Sequence, residues 1–131
     1  GIAALEIISK EPITERADAA ADRLKKGLRE ALMKQEVAGH VHGVSSIIHV
    51  ALGVEGGTND QGISQVPHDQ LANATKGRKI EMLKLAMLNE GVDMFGGIGF
   101  MTSAVHTDEQ VEKTVEAFER SLVALRDEGY I

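Results

Sequence analysis

A chain of 131 residues, 43% apolar and 26% charged, has the length of one domain and the make-up of a globular protein. Its formal net charge of -6 argues against nucleic acid or an anionic membrane surface as a partner, and 3% aromatic residues without Trp leave no platform for stacking bases. The lack of cysteine excludes disulfides, thiolate catalysis and Cys-ligated metals, and the longest apolar runs, such as IIHVALG, are too short to cross a bilayer.

The chain opens GIAALEII, where Ile2, Leu5 and Ile8 recur at helical spacing with no capping residue before them. An apolar, uncapped start suggests a cut inside a longer protein. Glu11-Pro12 ends this helix near Lys10. Thr14 is the expected N-cap of a second helix, with Ala17, Ala21, Leu24, Leu28 and Ala31/Leu32 on one face and Gly39 as its stop. Gly27 inside that helix points to a close packing contact.

HVHGVSSIIHVALG is mostly β-branched and predicts one strand or two short ones, with Gly43 and Ser45-Ser46 allowing a bend. Residues 53–70 are rich in Gly, Asn, Asp and Ser and predict a long loop. A third long helix is expected over Leu71–Glu90, burying Ile80, Leu83, Met87 and Leu88, widened by Leu85 and Ala86, and ending at Gly91. VDMF (92–95) and GFMTSAV (99–105) are strand candidates around the turn GGIG. Thr107 and Gln110 form a capping box for the last helix, whose stripe is Val111, Val115, Phe118, Leu122 and Leu125, with Gly129 as its cap. The order α, α, β(β), α, β, β, α predicts an α+β fold. It would be a small antiparallel or mixed sheet of three to four strands with helices packed on one face.

Two stretches invite a chemical reading. Glycines before a helix can cradle a phosphate, but here strand-like residues separate GGIG from the helix, and Asp108 and Glu109 in its first turn would repel an anion. A hairpin turn fits better. His40 and His42 lie on one face of a strand with His49 nearby, a spacing that can ligate zinc only if a third ligand joins and that better fits the polar residues of a helix-to-strand junction. His106, just before the N-cap, is expected to make a local polar contact. No G-x-S-x-G elbow is present, and Thr58–Gly62 has too few acids for a calcium loop. No residue here completes a catalytic, cofactor-binding or metal set.

The last residues, MLNEGVDMFGGIGFMTSAVHTDEQVEKTVEAFERSLVALRDEGYI, resemble the C-terminus of class III pyridoxal-phosphate aminotransferases. The likeness is greatest to glutamate-1-semialdehyde 2,1-aminomutase-like enzymes, whose S-x-A-H-T-x-x-D/E-I-x-x-T segment is similar to Ser103–Thr114. AALEIISKEPITERADAAADRLKKGLREAL is similar to the helix pair that opens the family's small domain, and HGVSSIIHV to its first strands. The resemblance implies that residues 1–131 are the C-terminal small domain of a fold-type I enzyme. Gly96, Gly97, Ile98 and Gly99 would form the substrate-pocket rim, with Gly97 where the aminomutase carries an acid. It also implies pyridoxal 5'-phosphate in the full-length enzyme and none on this chain, since the Schiff-base lysine lies in an upstream large domain. That domain would be the partner, the full-length enzyme a cytoplasmic homodimer, and the isolated chain inactive. A stand-alone α+β binding or assembly module is the alternative.

Overall fold

The computed structural model describes residues 1–96 and 99–131. Helix α1 spans Ile2–Lys10 and α2 spans Ile13–Lys34. Strands β1 (Gly39–His42) and β2 (Ile47–Leu52) follow, then α3 (His68–Ala74), α4 (Arg78–Asn89), β3 (Gly99–Met101) and α5 (Asp108–Asp127). The strands form an antiparallel sheet in the order β1-β2-β3. This is the α+β arrangement that the order of elements predicts.

The core follows from two periodicities. On α2, Ala20, Ala21, Leu24, Leu28, Ala31 and Leu32 are buried, while Ala17 is half-buried. On β1 and β2, Val41, Ile48, Val50 and Leu52 point the same way because alternate strand residues share a face. Helices α2 and α4 pack on the sheet, and α5 packs across both helices. Gly27 is where α2 meets α5 most closely. A Cβ there would overlap the Val115 side chain, so the expected close contact is present.

Several local readings need correction. Helix α2 starts at Ile13 with Pro12 as its N-cap, and the Thr14 hydroxyl donates to Glu15 Oε2 at 3.0 Å instead of capping. The helix stops at Lys34, before Gly39. Glu36 takes the left-handed conformation (φ 52°). Its N–H donates to the Met33 carbonyl at 3.1 Å, and that of Val37 donates to the Leu32 carbonyl at 3.0 Å, which is a Schellman closure. A glutamate in this position carries a steric cost that glycine lacks. Glu36→Gly should therefore stabilise the chain by about 1 kcal/mol, read as a higher urea midpoint at unchanged slope. A lower midpoint would contradict the assignment.

The long third helix is two helices. Gly77 (φ 90°) breaks the chain before α4, and the Thr75 hydroxyl closes α3 on the Leu71 carbonyl at 3.0 Å. On α4 only Ile80, Leu83 and Met87 are buried, while Leu85 and Leu88 are about half exposed, outside the narrower stripe. Gly91 (φ 83°) does end α4 as expected. Residues 92–95 form no regular strand, although Met94 is buried and Phe95 bridges Gly99. β3 stops at Met101. The Thr102 N–H still reaches the Ser46 carbonyl (3.0 Å), and its hydroxyl donates to the Ala17 carbonyl on α2 (2.9 Å).

Helix α1 buries none of its residues. Ile2 is 78% exposed and Leu5 67%, so its apolar face is uncovered in this chain.

Candidate functional site

The glycine turn and the histidines, separate in sequence, meet through strand register. The β1–β2 hairpin pairs His42 with His49, and the β2–β3 ladder pairs His49 with Gly99. Directly paired residues share a face. His42, His49 and Gly99 therefore form one row on the outer face of the sheet, opposite the core, and His40 joins it two residues from His42.

Gly99 is buried as the first residue of β3, and a Cβ on it would overlap the Ile48 carbonyl oxygen. Its glycine identity thus follows from strand-to-strand approach. Gly96 is exposed with φ 59°, and Phe95 forms an isolated bridge to Gly99. Gly97 and Ile98, the other two residues expected at a pocket rim, lie outside the described residues. Phe95 beside the turn is 65% exposed, an apolar side chain facing water. A groove of about 320 Å³ runs from it past Asp93, Thr102 and His106 to Gln110.

The phosphate-cradle reading fails on geometry. β3 and the 102–107 segment separate the turn from α5. The α5 N-terminus is already served: Thr107 Oγ1 accepts from the Gln110 N–H at 3.3 Å, and Gln110 Oε1 accepts from the Thr107 N–H at 3.0 Å. This is the expected capping box. Asp108 and Glu109 follow in the first turn. His106 makes the expected local contact, its Nδ1 accepting from the Ser103 N–H at 2.9 Å.

The imidazoles are stacked rather than convergent. The His40 and His42 ring centroids are 5.1 Å apart, as are those of His42 and His49. Among the described residues no group of His, Cys, Asp or Glu forms a metal-ligand set. His40 Nε2 lies 2.8 Å from Ser64 Oγ, whereas His42 Nε2 is buried without a partner. Burial, then His40, His49 and Arg29, lower the His42 pKa to about 4. Burial and Arg29 lower that of His40, against a backbone hydrogen bond to Gly56 that raises it. Both rings are held neutral at pH 7.

Sequence reading missed Lys25 and Ser64. Lys25 is buried, with its ammonium 2.9 Å from Asp22 Oδ1 and 3.4 Å from the Gly43 carbonyl. It follows Leu24 at the border of the α2 apolar stripe, and that position was the available signal. Ser64 sits in a loop with no periodicity, so nothing local marked its reach to His40.

Pyridoxal phosphate needs an amine free to form an imine and a carboxylate at the ring nitrogen. Lys25 is the one buried lysine among the described residues, and its ammonium is engaged. Lys26, Lys34 and Lys113 stand on exposed helix faces, Lys10, Lys76 and Lys79 are also exposed, and Lys84 is half-buried on α4. The described residues do not form a site for this cofactor.

Comparison with known proteins gives the architecture a context. The fold is that of a segment of transaminases. An omega-transaminase from Sphaerobacter thermophilus superposes with a TM-score of 0.67 at 20% identity, over 86% of this chain and 24% of that one. The FumI protein of Sphingopyxis sp. MTA144, in its PLP internal aldimine form, gives 0.68 at 20% identity over 95% and 25%. An S-selective transaminase from Arthrobacter sp. gives 0.67 at 15% identity over 97% and 28%. In sequence, the chain is 30% identical over 112 residues to the 5-aminovalerate aminotransferase DavT of Pseudomonas aeruginosa, covering 86% of this chain and 24% of that enzyme. The chain thus spans about a quarter of the length of the curated relative it matches. No protein-family model matches it. Among the described residues no helix is long and apolar enough to cross a membrane.

Proposed function

We propose that residues 1–131 are the C-terminal small domain of a pyridoxal-phosphate-dependent aminotransferase acting on an amino acid. The sequence similarity to a quarter of an aminotransferase is the observation that carries this reading. In it, the 96–99 turn with the exposed Phe95 forms the rim of a substrate pocket whose cofactor and imine-forming lysine belong to a larger domain. The uncovered face of α1, with Ile2, Leu5 and Ile8, packs against that domain. The assembled enzyme is a cytoplasmic homodimer, and the chain alone is inactive. The Ser103–Thr114 motif keeps an aminomutase reaction as the second assignment, while the similarity to DavT favours amino-group transfer between molecules.

An antibody raised against this 14.0 kDa chain tests the reading in the native cell. The expected band is about four times that mass, since the chain matches 24% of its relative. A single band at the mass of the chain itself would instead support a stand-alone module.

A further inference from the structure

The 53–67 segment crosses the outer face of the sheet, the face carrying the imidazoles. It has internal order of its own. Thr58 bridges Ser64, and Asn59 Oδ1 accepts from the N–H groups of Gln61 (3.0 Å) and Ile63 (2.9 Å). It is tied down along its length: the Gly53 N–H donates to the Ala38 carbonyl at 2.7 Å, and Gly56 makes a backbone hydrogen bond with His40. The Gly43 N–H donates to the Gly62 carbonyl at 3.0 Å, and Ser64 Oγ meets His40 Nε2 at 2.8 Å. Beneath it lies a groove of about 410 Å³ whose walls combine His42, His49 and His68 with Ile47, Ile63 and Leu71. No carboxylate lines this groove.

We propose that the 53–67 segment is a strap held down over the stacked imidazoles of β1 and β2, and that mild acid releases it and widens the apolar groove beneath. The central imidazole, His42, has a ring stacked 5.1 Å away on either side. A cation on the central ring, His42, meets His40 on its own strand and His49 across the ladder. From α2 it meets the charge of Arg29, whose guanidinium donates twice to the Val41 carbonyl, while Lys25, at the Gly43 carbonyl, is paired with Asp22. His68 faces the same groove from α3, and the strap brings the Ser64 hydroxyl and a backbone hydrogen bond between Gly56 and His40. The one carboxylate among these groups, that of Asp22, is paired with the Lys25 ammonium at 2.9 Å rather than with the imidazolium. Lifting the strap brings water to His42 Nε2, the one buried side-chain polar atom without a partner among the described residues. The pKa direction agrees. A histidine lowered from 6.5 to about 4 when closed binds fewer protons closed than open. Closure is therefore complete above about pH 6.5 and is lost as the pH falls toward 4.

Amide hydrogen exchange on the 131-residue chain, expressed as protection factors, reads the opening directly. Between about pH 7.5 and pH 5, protection over residues 58–66 should fall about tenfold, a figure discounted for the partial exposure of the ring. Protection over residues 111–125 of α5 should change less than about twofold, since those amides report the core. His42→Phe keeps the ring shape, loses no hydrogen bond and cannot titrate, so its strap should stay protected at both pH values. An NMR titration of the wild-type His42 ring, expected well below the ordinary value, serves if the variant does not fold. An unchanged strap, an equal loss in α5, an equal loss in His42→Phe, or a His42 ring titrating near 6.5 overturns the proposal.

Discussion

Phe118→Ala should lower the unfolding free energy by about 4 kcal/mol, the cost of removing a large aromatic ring from a filled core. Phe118 has no solvent exposure and sits in the cluster that joins α5 to α2, α4 and the sheet. Its neighbours in the α5 stripe, Val111, Leu122 and Leu125, are also buried, so little can collapse from outside into the space left. The change falls on a stability of the order of 5–15 kcal/mol for a native domain, so the variant should unfold at a much lower urea concentration with a similar slope. A loss under about 1 kcal/mol would mean that α5 is not clamped as the packing indicates.

Gly99→Ala should cost about 3 kcal/mol, at the upper end of what one added methyl does in a packed site. The new Cβ would overlap the Ile48 carbonyl oxygen, backbone that no rotamer change can move aside. The strain falls on the whole β2–β3 ladder, whose pairs are Ile47–Met101, Ile48–Phe100 and His49–Gly99. Displacing β3 also moves the isolated Phe95–Gly99 bridge. The same denaturation series measures the cost, and protection of the Phe100 amide shows whether the ladder is where the damage lies. A neutral substitution would mean that β3 does not approach β2 this closely.

Legibility followed the range of the interaction. Helix α5 could be read whole because its cap (Thr107 with Gln110) and its stripe are local patterns. The buried face of α2 was readable for the same reason, and Gly27 announced the contact with Val115. What failed was punctuation. Gly77 breaks α3 from α4, yet Leu71 and the Ile80–Met87 stripe look continuous across Thr75-Lys76-Gly77. Glu36 holds the left-handed turn where Gly39 was the better candidate on propensity. Gly39 instead begins β1, where an added Cβ would overlap the Leu32 side chain.

The candidate site was legible only as pieces. His40 and His42 could be placed on one face by the period of a strand. That His49 stacks on His42 depends on hairpin register, set by the 43–46 turn, where Ser45 adopts φ 53° and a Cβ on Gly43 would overlap the Ile47 carbonyl. No local pattern encodes that register. Gly99 was visible as a glycine, but its reason is the proximity of β2 rather than freedom of the turn. The spacing between GGIG and α5 disfavours a phosphate loop, and the α5 N-terminus is capped by Thr107 and Gln110.

The central claim is that this chain completes a cofactor site built elsewhere and carries no imine-forming lysine of its own. It is tested most directly by adding pyridoxal phosphate to the isolated chain, reducing with borohydride and mapping the peptides by mass. The account predicts no stoichiometric lysine adduct and no absorbance of an internal aldimine, because Lys25 is held by Asp22 and the Gly43 carbonyl, Lys84 lies half-buried along α4, and the other six lysines stand on open surface. A single lysine modified in full, at Lys25 or anywhere else in the chain, would contradict it.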